Sequence, residues 1–351
     1  MAEAFWDVII VGQGLAGTTL AWHLREAGKQ VLVIDACEPV TSSKIAAGLI
    51  TPITGRRLAL SPRYDHFLAA ARAFYTGVEK RTGQKFFHDR VALRLFRSEA
   101  ERRNWPERSR RPDYKAHLLN PQPAPLLGPE LAEAGAGGFA MHAAQLDVAA
   151  YLEASRAVLA WQPMVLDWRR DVTFGAEGVA VGGLKARLVV SCEGHAAARN
   201  PFFSRVQFNA AKGDILTVRF HRRVPARSLH RGIWVAPTTQ PDVFSVGATY
   251  DRARLDQEPD PCGRSEIERK LKSFLRVPYT VLDHRAAVRP ILSDGRVLVG
   301  LHPQQQRLGY FNGLASKGSL QAPYYARCLT DFLVRRIPLP EAMDIGKHLD
   351  P

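Results

Sequence analysis

The sequence predicts an α/β fold in which a parallel sheet, formed by the two ends of the chain, is combined with an antiparallel block from its middle. Two observations lead to this prediction. Residues 8–11 form an apolar run that enters a glycine turn and then a helical pattern, which is typical of a strand–helix–strand unit. Residues 214–220, 232–237 and 243–250 are instead rich in β-branched and aromatic residues, which indicates antiparallel strands.

The opening unit carries a GxGxxG pattern at Gly12, Gly14 and Gly17, followed by a second apolar run that ends at Asp35. Gly12 permits a tight turn, Gly14 lets the backbone approach a pyrophosphate, and Gly17 lets the helix pack closely on the strand. The helix N-terminus offers free N–H groups to the phosphates. Asp35 follows about 20 residues later, where a carboxylate accepts hydrogen bonds from ribose hydroxyls. The motif predicts FAD or NAD rather than NADP, with a purely structural glycine turn as the alternative.

Length and composition are those of a globular protein with about two domains, since 351 residues contain 46% hydrophobic and 23% charged residues. No run approaches the ~20 apolar residues that span a bilayer, so no membrane partner is expected. We interpret the N-terminal apolar stretch as a buried strand and not as a signal peptide. The four cysteines show neither CxxC spacing nor a histidine cluster, which disfavours a metal site or disulfide framework and favours a cytoplasmic location.

The formal net charge is +14, from 48 basic and 34 acidic residues. Such an excess suits a polyanionic partner, nucleic acid above all, or an acidic substrate, but an arginine-rich solvated surface explains it equally well. The densest basic segment is residues 90–117, which also contains Trp105 and Tyr114. Arginines with aromatics suit stacked bases, whereas the acids interspersed in the segment favour a salt-bridged surface.

Further elements follow from periodicity and turn residues. Apolar residues recur at helical spacing in residues 64–81 and predict an amphipathic helix. Four prolines in residues 120–129 predict an irregular connection. Residues 188–191 form an apolar strand that ends in a second strand-to-glycine junction at Gly194, and residues 297–300 form a strand similar in style to the opening unit. The glycine loop 313–318 leads into a helix that ends near residue 335.

Five ordered motifs resemble the D-amino acid oxidase superfamily of FAD enzymes, which includes glycine oxidase, sarcosine oxidase and the FAD part of the bifunctional tRNA wobble-uridine modification enzyme. They are GQGLAG with Asp35, LVVSCEG (188–194), FSVGATYD (244–251), VRPILSDGRVLVG (288–300) and GLASKGSLQAPYYA (313–326). The resemblance covers nearly the whole chain. It implies a Rossmann-like FAD-binding domain from residues 1–60, 140–205 and 285–351, interleaved with an α+β antiparallel substrate domain from residues 61–139 and 206–284.

The motifs and the resemblance together predict a set of cofactor contacts and non-covalent FAD, because no firm counterpart of the family's covalent attachment residues is present. The predicted contacts are Gly12, Gly14, Leu15, Ala16, Gly17, Asp35, Ala36, Ser43, Ala47, Gly48, Gly194, Gly313, Ser316, Lys317 and Gly318. The chain departs from the family in having Asp35 where glutamate is common and Glu193 where a small apolar residue is usual. The pair Ser316 and Lys317 is closer to the tRNA-modifying members than to glycine oxidase.

The resemblance also implies a substrate site. Arg289 would hold a substrate carboxylate through its planar guanidinium, with a structural salt bridge as the alternative. Lys317 would place a cation beside the flavin, unless it is a solvated turn residue. Tyr250 and Trp234 are candidates for the pocket wall, with packing in the core as the alternative.

The implied activity is FAD-dependent oxidation of a carbon–nitrogen bond by hydride transfer to flavin N5, on a small amino acid or a secondary amine that bears a carboxylate. A first alternative is removal of the carboxymethyl group from a modified tRNA wobble uridine. A second is an NAD-dependent dehydrogenase or a non-catalytic flavin-binding protein. The electron acceptor, the stereochemistry and the oligomeric state are left open.

Overall fold

A computed structural model describes residues 5–124, residue 127 and residues 137–349. The first elements are β1 (Phe5–Val11), α1 (Leu15–Glu26), β2 (Val31–Asp35), β3 (Leu49–Ile50), β4 (Ile53–Thr54), β5 (Ala59–Leu60), α2 (Tyr64–Thr82), β6 (Phe87–Leu95), α3 (Glu99–Arg110), α4 (Pro112–Lys115) and β7 (Leu118–Ala124). The central ones are β8 (Gly138–Leu146), α5 (Val148–Arg156), β9 (Trp161–Pro163), β10 (Val172–Phe174), β11 (Val179–Val181), β12 (Leu184–Ser191), β13 (Ala211–Phe220), β14 (Ser228–His230), β15 (Trp234–Pro237) and β16 (Val243–Gly247). The last are α6 (Pro261–Lys272), β17 (Tyr279–Arg289), β18 (Leu298–His302), β19 (Gln305–Asn312), α7 (Gly318–Arg335) and α8 (Ile345–Leu349).

The first sheet has a parallel centre in the order β9-β2-β1-β12-β19. Antiparallel strands complete this sheet. β18 pairs with β19, and β11 of the β10–β11 hairpin pairs with the first half of β12. The apolar strands 8–11 and 31–34 are therefore neighbours, with Val8 opposite Val31 and Val11 opposite Ile34. The predicted parallel sheet built from both ends of the chain is confirmed.

The glycine turn closes the carboxyl ends of the central strands. The Gly12 N–H donates to the Ile34 carbonyl at 2.8 Å, and Gly12 has φ +105°. A Cβ on Gly17 would lie 1.9 Å from the Gly12 carbonyl oxygen. Helix α1 can therefore lie against its preceding strand only because residue 17 has no side chain.

The second sheet has the order β17-β13-β16-β15-β14-β6-β8-β3, with β7 on the edge of β8. Its pairs are antiparallel except for β14 and β6, which run parallel. The predicted antiparallel block is confirmed. The prediction of an irregular connection over residues 120–129 is wrong for residues 120–124, which extend β7 along the edge of β8. An edge strand tolerates proline because its N–H groups on one side have no ladder partner. Of the rest of that segment, only residue 127 is described.

Helices cover one face of the first sheet. Trp22 of α1, Tyr75 of α2 and Tyr151 of α5 are fully buried there, together with the inward residues of β1. The Trp22 indole N–H donates to Ser155 at 2.9 Å, which satisfies its polar atom inside the core. Helix α6 packs on the second sheet through Ile267. The helix predicted at residues 64–81 is thus present with ends that differ by at most one residue, and so is the helix that follows the loop 313–318 and ends at residue 335.

The strands of the parallel sheet all lie within residues 1–60, 140–205 and 285–351. Strand β3 of the antiparallel sheet also lies inside those segments, and β8 and β17 extend into them. The two sheets therefore share more of the chain than the predicted boundaries allow. The division into a cofactor domain and a substrate domain stays a prediction.

In the basic segment 90–117, the aromatic side chains Trp105 and Tyr114 are buried, whereas Arg102 pairs with an acid at the surface. Trp105 is fully buried and stacks on Phe139 at 3.7 Å between ring centroids, and Tyr114 is 5% exposed. Arg102 pairs with Glu99 at 2.8 Å. Because its aromatics are in the core, this segment offers no platform for stacked bases, and the salt-bridged alternative describes it better.

Candidate cofactor and substrate site

A cavity of about 1020 Å³ is lined by residues from both sheets. One end is formed by the glycine turn and the first residues of α1, and the other by β13 and β15–β17 of the antiparallel sheet. Among the described residues that line it, the acids are Asp35 and Glu193, both at the glycine-turn end. The cavity is therefore electropositive over the rest of its length.

Asp35 is fixed at the glycine-turn end by backbone amides. One carboxylate oxygen accepts a hydrogen bond from the Gln13 N–H at 2.7 Å, and the other accepts one from the Cys37 N–H at 2.9 Å. Arg156 lies 3.7 Å from the second oxygen. A carboxylate oxygen can accept more than one hydrogen bond, so this arrangement orients Asp35 and leaves capacity for ribose hydroxyls.

Glu193, whose presence the sequence does not explain, closes the end of β12. Its carboxylate accepts hydrogen bonds from the Trp168 indole N–H at 2.9 Å, the Ser191 hydroxyl at 2.7 Å and the Asn200 amide at 3.4 Å. Burial raises the pKa of Glu193, and the three donors oppose that rise. A small apolar residue would leave these buried donors unsatisfied, which accounts for glutamate at this position.

Arg289 ends β17 and extends over the neighbouring strand. Its guanidinium donates to the carbonyls of Lys212 at 3.4 Å and Thr249 at 3.3 Å, and its carbon lies 5.4 Å from the Tyr250 ring centroid. Burial lowers the pKa of Arg289. Within the described part of the chain, no carboxylate forms an ion pair with it, so the structural salt bridge considered from the sequence is not found there.

Two strand glycines, which the sequence analysis did not single out, make room for the side chains of the cavity. A Cβ on Gly213 would lie 2.1 Å from an Arg289 guanidinium nitrogen, and one on Gly247 would lie 2.8 Å from the Trp234 ring. A glycine inside a strand often marks a close approach by another group, so this signal was available in the sequence. Trp234 and Tyr250 both line the cavity, and Tyr250 is 55% exposed, so the alternative of core packing is wrong for both.

Comparison with known proteins identifies the family of this chain. Residues 7–332 match the DAO family, which is described as FAD dependent oxidoreductase. The chain belongs to this family. Glycine oxidase of Bacillus licheniformis is 25% identical over 352 aligned positions, 94% of this chain and 93% of the relative. The crystal structure of glycine oxidase from Geobacillus kaustophilus has a TM-score of 0.77 at 21% identity and covers 95% of each chain. That of iminodiacetate oxidase from Chelativorans sp. BNC1 has a TM-score of 0.74 at 20% identity and covers 96% of this chain and 98% of that one.

As a member of the DAO family, the protein is an FAD-dependent oxidoreductase. This decides between FAD and NAD, the two cofactors that the glycine motif allowed. The cavity fits FAD, because the N-terminus of α1 has no side-chain cap and faces it next to Gly12 and Gly14. The predicted contacts that line the cavity are Gly12, Gly14, Leu15, Ala16, Asp35, Ser43, Ala47, Gly48, Gly194, Ser316, Lys317 and Gly318.

Three predicted contacts do not line the cavity, and each has another position. Gly17 packs on the Gly12 backbone, as its place in the motif predicts, and Gly313 packs on the backbone of Arg296. Ala36 is exposed beyond the end of β2. Gly17 and Gly313 therefore support the fold around the cofactor site. Contact between FAD and the residues that line the cavity stays a prediction.

Lys317 immediately precedes α7 at the cavity wall. Its ammonium donates to the Ser61 hydroxyl at 3.3 Å, and burial lowers the pKa of Lys317. The alternative of a freely solvated turn lysine is therefore wrong. Gly318 and Ser319, the first residues of α7, also line the cavity. The helix N-terminus and the lysine together place positive potential at this part of the wall.

The described cysteines are free, and no described group of histidines, cysteines and acids is arranged to hold a metal ion. None of the described helices combines the length and the apolar character required to cross a lipid bilayer.

Proposed function

We propose that this DAO family member oxidises the carbon–nitrogen bond of a small amino acid, or of a secondary amine that bears a carboxylate. The observation that carries the proposal is Arg289, a partly buried guanidinium at the cavity wall without a carboxylate partner among the described residues. A charge that is partly removed from water is stabilised by a counter-charge, and a substrate carboxylate supplies one with matching bidentate geometry. The names of the similar proteins, glycine oxidase and iminodiacetate oxidase, fit a carboxylate-bearing amine.

Three side chains of the cavity wall have separate roles in the proposed binding of the substrate. Arg289 fixes the carboxylate, and the Tyr250 ring beside it bounds the place where the substrate lies. Trp234, whose ring lies close to Gly247, forms an apolar wall that limits water near the reacting carbon. FAD, when bound, supplies the acceptor for the hydride that leaves the carbon next to the nitrogen. Orientation of that carbon contributes several kcal/mol to catalysis without an acid–base side chain.

An anaerobic titration tests the proposal directly. The purified protein with its FAD is mixed with glycine, other small amino acids and N-substituted glycines, and the flavin absorbance is followed. We expect at least one carboxylate-bearing amine to bleach the flavin, whereas the corresponding amine without a carboxylate does so only at much higher concentration. Flavin that stays oxidised with the whole panel would contradict the proposal and favour a non-catalytic flavin-binding protein.

Replacement of Lys317 by methionine tests the cation at the start of α7. Methionine keeps most of the side-chain volume and removes the charge, so we expect flavin reduction or reoxidation to slow by about tenfold or more. Burial lowers the pKa of Lys317, so its ammonium should lose its proton at a lower pH than that of a free lysine. The wild-type rate should therefore fall in that pH range, and this fall should be absent in the variant. Stopped-flow absorbance measures both half-reactions.

Ser61→Ala is the matched control, since it removes the hydrogen bond to Lys317 and keeps the charge. It should retain the alkaline fall. If Lys317→Met leaves reduction, reoxidation and the pH profile unchanged, Lys317 has no role in the chemistry.

A further inference from the structure

We infer that the substrate carries a second anionic group, a carboxylate or a phosphate, which binds in a basic lobe of the cavity beyond Trp234. The inference rests on the proposed function and extends it, because it specifies the part of the substrate that does not react. The basic lobe consists of Arg56, Arg94, Arg97, His230, Arg231 and Lys270, all of which line the same cavity as Arg289.

The lobe is assembled from segments that are distant in sequence. Arg94 lies on β6, and Arg97 follows that strand just before α3. His230 ends β14, next to Arg94 in the parallel β14–β6 pair, and Arg231 begins the turn to β15. Because the sheet brings these side chains together, the lobe is invisible in the sequence pattern alone.

The acids near the lobe do not neutralise it. Glu101 lies 3.5 Å from Arg94 and 4.0 Å from Arg97, so one carboxylate serves two guanidinium groups. Lys270 pairs with Glu266. Five cations of the lobe therefore face these two acids, and no acid is among the described residues that line this part of the cavity. This excess positive charge attracts an anion.

Two residues of the lobe have free capacity for a ligand. Arg56 is exposed and has no hydrogen-bond or ion-pair partner among the described residues. The buried Nε2 atom of His230 likewise lacks a partner in the described part of the chain. Burial and the nearby Arg94 lower the pKa of His230 to about 3, so its ring is neutral at pH 7 and can hydrogen-bond without adding charge. Arg231, by comparison, already donates to the carbonyls of Phe96 and Ser273.

The distance between Arg289 and the lobe sets the size of the substrate. The Arg289 guanidinium lies over β13, and Arg94 lies on β6, which is reached through β16, β15 and β14. Neighbouring strands are about 4.8 Å apart, so the four steps from β13 to β6 give a path along the sheet of roughly 19 Å. Free glycine cannot bridge it, whereas an amino acid whose nitrogen or side chain bears an extended anionic arm can.

The test compares arms of equal length and different charge. Under anaerobic conditions, N-(carboxypentyl)glycine, N-(phosphonopentyl)glycine and the neutral N-hexylglycine are titrated into the FAD-bound enzyme, and the flavin absorbance change gives each apparent dissociation constant. We expect the better anionic probe to bind at least about tenfold more tightly than N-hexylglycine, a ratio that falls with added salt. Whichever anionic probe binds more tightly identifies the second group as carboxylate or phosphate.

A pair of double variants locates the effect. Arg56→Gln with Arg97→Gln should reduce the ratio of dissociation constants to about twofold or less, because both residues belong to the lobe. Arg103→Gln with Arg110→Gln removes the same charge from exposed positions of α3 that do not line the cavity, and should leave the ratio unchanged.

A wild-type ratio near one overturns the inference, and so does an anionic preference that survives Arg56→Gln with Arg97→Gln. Perturbation of the flavin by tRNA but by neither anionic probe would also overturn it and assign the lobe to a nucleic-acid-borne substrate. The proposed function is judged separately, on whether any carboxylate-bearing amine, with or without an anionic arm, bleaches the flavin at all.

Discussion

Replacement of Arg289 by leucine should raise KM for a carboxylate-bearing amine by roughly 10²–10³-fold, because removal of one partner of a buried charge pair costs about 3–4 kcal/mol. The side chain lies over Gly213 and is held by the carbonyls of Lys212 and Thr249, so its position does not depend on the substrate. Leucine fills part of the same space without leaving a charge behind. Steady-state kinetics with the best substrate from the anaerobic panel gives KM and kcat.

Arg289→Lys separates charge from geometry. Lysine keeps the positive charge and loses the planar pair of donors, so KM should lie between those of the wild type and the leucine variant. The ratio of flavin to protein absorbance should stay normal in both variants, since Arg289 lies on the antiparallel sheet and not at the glycine turn. If Arg289→Leu keeps the wild-type kcat/KM, Arg289 does not bind the substrate.

Replacement of Gly17 by alanine should abolish stable FAD binding and lower the free energy of unfolding by about 3 kcal/mol or more. The added Cβ would lie 1.9 Å from the Gly12 carbonyl oxygen and 3.1 Å from Ile10, so α1 or the glycine turn must move. Either movement displaces the helix N-terminus that faces the cavity. Flavin content after purification and chemical denaturation of the apoprotein measure the two effects.

Gly77→Ala is the matched control for this change. Gly77 lies inside α2, where the nearest atom to an added Cβ is the Arg81 guanidinium at 3.9 Å, and it does not line the cavity. Alanine is favoured over glycine in a helix by about 0.5–1 kcal/mol, so this variant should be as stable as the wild type or slightly more stable, with full flavin content. If both variants behave alike, close packing at Gly17 does not hold the cofactor site together.

The sequence predicted those parts of the protein that depend on local chemistry. The glycine turn with Gly12 and Gly17 was recognisable because each glycine meets a backbone requirement that other residues cannot meet. The two sheets were recognisable because buried parallel strands and antiparallel strands differ in composition. The connection over residues 120–124 was assigned wrongly, because prolines that indicate a loop are also compatible with an edge strand, and only pairing with β8 decides between them.

The candidate residues Arg289 and Lys317 were named from motifs, but their environments depend on neighbours that are far away in the chain. Arg289 has its place because of Gly213, and Lys317 is linked to Ser61, a separation of 256 residues. Glu193 was unexplained until its three hydrogen-bond donors were known. Burial and missing counter-charges are properties of the assembled structure, and a pattern of residue types does not contain them.

By itself, then, the sequence determined the α/β class, the nucleotide turn at Gly12 and the family motifs, because these follow from short-range backbone and periodicity rules. The tertiary structure alone decided three points: Arg289 has no carboxylate partner among the described residues, Trp234 lines a cavity, and the basic lobe lines that same cavity. The physical reason is that sheet pairing places residues of β6, β14 and β17 along one cavity, and only there do burial and electrostatic attraction act on them together.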